Sequence, residues 1–101
     1  MRFLMNVSFP HEPFNDAVRD GSAGATLGKI LEAIKPESVY FTEQNGHRAA
    51  VLVVNIDNVS QIPALAEPFF LSFQADCKFN IAMTPEDLRR SGLEALGKTW
   101  G

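Results

Sequence analysis

The stretch RAAVLVVNI, Arg48–Ile56, decides which fold this sequence predicts. It follows SVYFT and the turn EQNGH, in which Asn45-Gly46 suits the positive φ angles of a type I′ hairpin turn. The pattern predicts two antiparallel strands, Val39–Glu43 and His47–Ile56. A strand with one solvated face alternates apolar and polar residues, but this second strand is almost wholly apolar between Arg48 and Asn55. Both of its faces therefore need to be covered.

The composition indicates a single globular domain. The chain has 101 residues, of which 46% are hydrophobic and 21% charged, and this balance is typical of a folded protein. Nine basic and twelve acidic residues give a net charge of -3, and the scattered Lys and Arg residues argue against nucleic-acid binding. We expect one domain over residues 1–101, short enough to benefit from further burial in an oligomer.

The sequence also suggests a cellular compartment. The only cysteine, Cys77, excludes an internal disulfide and fits a reducing environment. No apolar run reaches the length of a membrane span, and Asn6 and Ser8 interrupt any signal-peptide core. We expect a cytoplasmic protein that does not associate with a membrane.

The first third of the chain predicts a strand and two helical segments. Arg2–Phe9 alternates, with Phe3, Met5 and Val7 on one side, and Pro10 ends the strand. Apolar residues then recur at helical spacing until Pro36. We expect a short helix, a break near Asp20-Gly21 and a longer helix to about Lys35. Gly21, Gly24 and Gly28 weaken the middle of this region, since a glycine inside a helix costs about 1 kcal/mol relative to Ala.

The second half predicts a helix, a strand and a final helix. Ile62 to Phe73 has helical spacing, with Ser60 as a plausible N-cap, and Pro68 is expected to bend or divide this helix. Lys78–Met83 alternates and predicts the fourth strand. Thr84-Pro85 followed by two acids is a strong start for one last helix, with an apolar side formed by Leu88, Leu93, Leu96 and Trp100.

The resulting β-α-β-β-α-β order predicts a ferredoxin-like α+β fold with a C-terminal helix. The antiparallel sheet would have the order 4-1-3-2, with both helices on one face. The third strand would present to the other face either Ala50, Leu52, Val54 and Ile56, or Ala49, Val51 and Val53. Fully burying three such side chains stabilises a protein by roughly 5 to 8 kcal/mol, and a large exposed apolar patch is rare on a monomer. We therefore expect a homodimer in which a second copy covers this face about a two-fold axis.

Three segments carry a resemblance to a known family. They are KPESVYFTEQNGHR (Lys35–Arg48), IPALAEPFFLSFQA (Ile62–Ala75) and MTPEDL (Met83–Leu88). The chain resembles the dimeric α+β barrel superfamily, and within it a group of small bacterial proteins, over nearly its whole length. The resemblance implies two ferredoxin-like subunits with their sheets laid together, and a third helix on the barrel end or on the partner subunit. The superfamily includes cofactor-free monooxygenases, muconolactone-type isomerases and haem-degrading enzymes, so the resemblance does not select one chemistry.

The superfamily's chemistries fit this chain unequally. Haem-degrading members typically use an Asn on the first strand with a His and a Trp on or near the second helix. Asn6 matches the first, but the second helix has no His, so haem chemistry is not expected. An isomerase needs a base, and Glu43 or Glu67 could supply a carboxylate. Glu67 precedes Pro68, where a bent helix can expose backbone groups, although a solvated surface residue is the simpler interpretation.

Other polar residues are candidates for a ligand site between the sheet and the helices. They are Asn6, His11, Tyr40 and Arg48, isolated in apolar surroundings. His11 follows the first strand, whereas His47 beside the turn is interpreted as solvated. Arg48 would bind an anionic ligand with Tyr40 as a donor, or would instead form a cross-strand ion pair with Glu43.

No metal or cofactor is expected. Neither histidine has a Cys or His at ligand spacing, and GSAGATLGKI lacks the spacing and the Ser or Thr of a phosphate-binding loop. Cys77 is interpreted as a small hydrophobic residue. Two functions stay open: a small-molecule binding protein or cofactor-independent enzyme of the monooxygenase or isomerase kind, and a homodimeric structural or interaction module without a small ligand.

Overall fold

A computed structural model of the protein describes residues 1–101. It contains four strands and five α-helices, and a 3-10 turn, Val59–Gln61, precedes the third helix. In chain order the elements are β1 Arg2–Ser8, α1 His11–Asp20, α2 Ala23–Ile34, β2 Ser38–Gln44, β3 His47–Asn55, α3 Ile62–Phe73, β4 Asp76–Ile81, α4 Pro85–Arg90 and α5 Leu93–Trp100.

The four strands form one antiparallel sheet in the order β2-β3-β1-β4. Listed from the other edge, the same order is β4-β1-β3-β2. Phe3 of β1 lies opposite both Val54 of β3 and Ile81 of β4, so the first strand is central. The α+β class and the antiparallel sheet predicted from the sequence are confirmed.

One face of the sheet carries the core. Alternate residues of β1 and β3 point toward α1, α2 and α3 and are buried there: Phe3, Met5, Val7, Ala50, Leu52 and Val54. Phe9, just after β1, extends this core at one end of the sheet. Its ring lies edge-on to Phe14 of α1 and Phe73 of α3, with centroids 5.2 Å and 5.4 Å away. Such pairs add about 0.5 to 1.5 kcal/mol each beyond burial, so Phe9 holds two helices against the sheet end.

The other face of the sheet, here called the open face, has no helix on it. The register places Ala49, Val51 and Val53 of β3 on this face, beside Leu4 of β1 and Tyr40 of β2. Of the two sets that the sequence allowed for β3, the structure therefore selects the one containing Val51 and Val53. Ala50, Leu52 and Val54 belong to the core instead.

The break between α1 and α2 lies where the sequence predicts it. Gly21 has a φ of 81° and ends α1, with its N–H donating to the carbonyl of Val18 at 3.2 Å. A residue with a side chain is strained in this left-handed conformation. The longer helix then runs to Ile34, one residue short of Lys35.

The start of α3 differs from the sequence prediction. Asn58, not Ser60, is the capping residue: its side chain accepts from the Ser60 N–H at 2.9 Å, while Gln61 bonds back to the Asn58 N–H. Asparagine is at least as good a cap as serine, and here it lies two residues earlier. Pro68 lies inside α3, which continues through it to Phe73 without being divided.

The C-terminal region is two helices rather than the single helix predicted. Thr84 caps α4 as expected, accepting from the Asp87 N–H at 3.1 Å. Gly92, with a φ of 77°, then separates α4 from α5. Neither helix has a buried residue. The radius of gyration is 17.1 Å, against about 13 Å for a compact chain of this length, and the molecule is 60 Å long.

Candidate functional site

The candidate residues do not meet at one place. Asn6 and Tyr40 lie on the open face, whereas Glu43 and Arg48 lie on the helix side of the β2–β3 hairpin. His11 begins α1 beyond the end of β1. The space between sheet and helices, where the sequence suggested a pocket, is filled by apolar core side chains.

Glu67 is separate from all the other candidates. It lies exposed on α3, and none of the ion pairs in the structure includes it. Pro68, the next residue, lies inside α3 without dividing it. Its position is that of a solvated helix residue.

Arg48 is held by α1. Its Nη1 donates to Oδ1 of Asn15 at 2.8 Å, and its guanidinium carbon lies 4.5 Å from the ring centroid of Phe14. A planar cation over an aromatic face is a favourable arrangement, especially when partly buried. The main-chain oxygen of Arg48 also accepts from the Phe9 N–H at 2.9 Å. Arg48 therefore joins the sheet to α1.

The Glu43–Arg48 ion pair expected from the hairpin does not form. The two residues are opposite each other in the register, but Glu43 accepts instead from the Gly46 N–H at 3.0 Å. An exposed ion pair gains little, whereas Arg48 gains a hydrogen bond and an aromatic contact from α1. The hairpin sequence predicts the pairing of Glu43 with Arg48, but it does not show that α1 competes with Glu43 for Arg48.

The two histidines lie together at the end of the sheet. The rings of His11 and His47 are stacked, with centroids 4.4 Å apart and planes at 25°. Nδ1 of His47 lies 3.2 Å from the main-chain oxygen of Asn45. His47 also borders a depression of about 180 Å³ lined by Ser8, Phe9, Pro10, His47, Gln74 and Asp76. His47 is half-buried and stacked on His11.

The register of β1 and β3 brings the two histidines together. Ser8 lies opposite Ala49 in the sheet, so the chain leaving β1 passes the residue that begins β3. Nowhere in the structure do three or more His, Cys, Asp or Glu side chains gather as metal ligands. The arrangement is a contact between two imidazole faces, with Asp76 bordering the same depression.

The open face has an apolar half and a polar half. The apolar half consists of Leu4, Tyr40, Val51 and Val53, and Tyr40 is 71% exposed. The polar half surrounds a depression of about 170 Å³ lined by Asn6, Ser8, Gln44, Asn45, Asp76 and Lys78. These residues come from β1, β4 and the β2–β3 hairpin, so only the folded sheet brings them together.

Asn6 is therefore the one sequence candidate that lies in a polar depression. Lys78 offers a positive charge and Asp76 a negative charge in the same place. Amide, hydroxyl and ammonium groups together can donate to a carboxylate, while Asp76 can accept from an amine or hydroxyl. Asp76 and Gln44 were not among the predicted candidates, because β4 begins and β2 ends farther out than the sequence pattern predicts.

Cys77 lies on the helix side of β4 and packs against the core. Burial, with a smaller contribution from the Asp76 carboxylate, raises the pKa of this thiol to about 11. The thiolate is the nucleophilic form, so at neutral pH Cys77 is an unreactive thiol. This agrees with its interpretation as a small hydrophobic residue.

A groove lies between α4 and α5. It measures about 610 Å³ and is lined by Pro85, Leu88, Arg89, Gly92, Leu93 and Glu94. The groove was not predicted, because the sequence pattern favours one helix over these residues. Gly92 produces the bend that creates the groove.

No protein-family model matches the chain, and no similar curated protein was found. None of the helices combines the length and the apolar character needed to cross a bilayer.

Proposed function

We propose that the chain functions as a homodimeric assembly module, with the open faces of two ferredoxin-like subunits packed together as a dimeric α+β barrel. The observation that carries the proposal is the apolar half of the open face. Leu4, Val51 and Val53 lie side by side in the centre of the sheet, and no element of the same chain covers them.

The amount of exposed surface supports this proposal. The chain exposes 6993 Å², whereas a compact monomer of its mass exposes roughly 5,700 Å². The excess of about 1,300 Å² belongs to the chain as a whole, including the C-terminal helices, which have no buried residue. It exceeds the roughly 800 Å² that each partner buries in an interface of standard size. A second copy is the simplest cover, because a two-fold axis matches the apolar half of one face with that of the other.

A mass measurement on two variants tests the dimer. Static light scattering at low micromolar concentration should give twice the chain mass of 11.1 kDa for the wild type. Val53→Lys should give a monomer with an unchanged circular-dichroism spectrum, because a lysine in the centre of the interface would be desolvated without a partner. Ala33→Lys, which adds the same charge on the exposed side of α2, should remain a dimer. A monomeric wild type, or a dimeric Val53→Lys, would show that the open face is not the interface.

Small-molecule binding is a second candidate, favoured by the polar depression on the same face. Two such depressions enclosed between subunits would together offer about 340 Å³, within the usual size of a ligand pocket. The candidate chemistry is a small carboxylate held by Lys78 and Asn6, and a cofactor-independent enzyme of the monooxygenase or isomerase kind would place its substrate there.

A thermal-shift screen tests this second candidate. Small hydroxy and amino acids at millimolar concentration should raise the melting temperature of the wild type and not that of Lys78→Ala. Lys29→Ala, on the exposed side of α2, is the matched control and should respond like the wild type. No change in melting temperature with any compound, or the same change in all three proteins, would contradict carboxylate binding at Lys78. Dimer assembly would then be the only proposed function that remains.

A further inference from the structure

The edge strand β2 has main-chain groups without a partner in the chain, because it pairs with β3 on one side only. In an antiparallel ladder, opposite residues point their N–H and C=O groups alternately toward each other and away from each other. The main-chain oxygen of Arg48 accepts from Phe9, on the β1 side of β3. Its register partner Glu43 therefore points away from β3. By the same alternation, Val39, Phe41 and Glu43 present their N–H and C=O groups outward.

This edge lacks the usual protection against pairing with another strand. Natural edge strands carry lysine, proline or a bulge, or lie beneath a covering element. The β2 sequence SVYFTEQ contains neither lysine nor proline, and its register with β3 runs over seven consecutive pairs without a bulge. Phe41, on the helix side, is 56% exposed. The other edge strand, β4, contains Lys78, so β2 is the edge better suited to strand pairing.

We propose that β2 pairs antiparallel with β2 of a second copy of the chain, with Phe41 opposite the partner's Phe41. Only this register pairs the outward groups of all three residues, because Val39 then lies opposite the partner's Glu43 and Glu43 opposite the partner's Val39. A shift by two residues leaves either Val39 or Glu43 without an outward-facing partner. A larger shift toward the hairpin turn brings the two Glu43 side chains opposite each other, and like charges in that position destabilise a sheet.

The backbone geometry sets the symmetry of this contact. Two identical antiparallel strands paired in one sheet are related by a two-fold axis perpendicular to the sheet, which here passes between the two copies of Phe41. The contact joins two four-stranded sheets into one of eight strands, with the helices of both copies on one face and both open faces on the other. The edge contact therefore goes beyond the open-face dimer and does not depend on it, since the two use different surfaces.

The centre of the contact is apolar, but the contact is short. The two Phe41 side chains would lie next to each other on the helix side, and aromatic pairs are among the favourable cross-strand pairs. The strand has seven residues, and pairing of two strands alone is marginally stable in water. We therefore expect the edge contact at higher protein concentration than the open-face contact, with the mass of the wild type rising above that of a dimer.

Light scattering on Val53→Lys measures the edge contact without the open-face dimer. This variant should be monomeric at low micromolar concentration and should double in mass at several hundred micromolar. Adding Phe41→Lys should prevent the doubling, because two lysines would lie opposite each other. Adding Ile81→Lys instead changes an exposed apolar residue on the β4 edge and should leave the doubling intact. Val53→Lys that stays monomeric at high concentration, or doubling that Phe41→Lys leaves unchanged, would overturn the proposal.

Disulfide formation tests the register, in a Cys77→Ala background that removes the only native thiol. Phe41→Cys should form a covalent dimer on mild oxidation, because opposite residues of a hydrogen-bonded antiparallel pair have Cα atoms about 5.5 Å apart, within the span of a disulfide. Glu43→Cys is the matched control, since its two copies would lie about 13 Å apart along the strands, and should not crosslink. An equal mixture of Val39→Cys and Glu43→Cys, which keeps Phe41, should crosslink as a heterodimer.

The outcomes separate the edge contact from the open-face dimer. Crosslinking of Glu43→Cys alone in preference to Phe41→Cys, or no crosslinking in any sample, would overturn the edge contact and leave the open-face dimer standing. Crosslinking through position 41 in a protein whose wild type is monomeric at low micromolar concentration would overturn the open-face dimer and support the edge contact.

Discussion

Replacing Arg48 by methionine is expected to lower the free energy of unfolding by about 2 kcal/mol, although Arg48 has no ion-pair partner. Methionine keeps most of the aliphatic stem but loses the bond from Nη1 to Asn15 and the stacking on Phe14. A hydrogen bond from a charged group contributes about 1.5 to 3 kcal/mol and a cation–π contact about 0.5 to 1. We take the lower part of the combined range, because the guanidinium is only half-buried.

Double-mutant cycles then identify the partner of Arg48. Arg48→Met combined with Asn15→Ala should show a coupling energy of about 1 kcal/mol, whereas Arg48→Met combined with Glu43→Gln should be additive within about 0.3 kcal/mol. The assay is urea unfolding followed by circular dichroism, at one fixed protein concentration because the stability of a dimer depends on it. A larger coupling with Glu43 than with Asn15 would show that the cross-strand pair forms and that α1 does not hold Arg48.

Three further predictions concern the caps, the glycines and the thiol. Asn58→Ala should lower stability in urea unfolding by about 1 kcal/mol and Ser60→Ala by much less, because only Asn58 caps the turn before α3; equal losses would contradict this assignment. Gly28→Ala should stabilise the protein by up to about 1 kcal/mol and raise the melting temperature, because Gly28 is helical with open space around it. Gly21→Ala should destabilise it by a similar energy and lower the melting temperature, because Gly21 has a φ of 81°. The pKa of the Cys77 thiol is raised to about 11 in the folded protein. Its contribution to stability is therefore fully present below pH 9 and is lost as the pH rises from about 9 to 11. The free energy of unfolding of Cys77→Ala should decline less steeply over this range than that of the wild type, and parallel declines would mean that the thiol is not buried.

The hairpin and the central strands could be predicted because local and global signals agree there. Asn45-Gly46 specifies the turn, the period of two specifies the faces, and the apolar content of β3 indicates burial on both sides. The β-α-β-β-α-β order of the elements then predicts the position of each strand in the sheet. The choice between Val51 and Leu52 for the open face could not be made, because both faces of β3 are apolar and the sequence contrast that fixes register is missing.

The residues around the candidate sites were harder to place, for two different physical reasons. Arg48 has a nearby carboxylate in the hairpin, yet a distant helix offers it more, and no local pattern records that competition. The bend at Gly92 was missed because a strong helix start and a continuous apolar stripe outweighed one glycine. The depression around Asn6 and Lys78 depends on three separate parts of the chain, so only the strand register could bring its members together.

The central position of β1 has a consequence for the synthesis of the chain. Its hydrogen-bonding neighbours are β3 and β4, so β1 is made first and its second neighbour is complete only at Ile81. At about 5 to 20 residues per second, the ribosome needs roughly 4 to 15 s to cover that interval. Until β3 is complete at Asn55, β1 has no strand to pair with, and Met5 and Val7, which are fully buried in the finished protein, lie on an uncovered strand. The β4 side of β1 therefore stays unpaired in the nascent chain until its last strand has emerged.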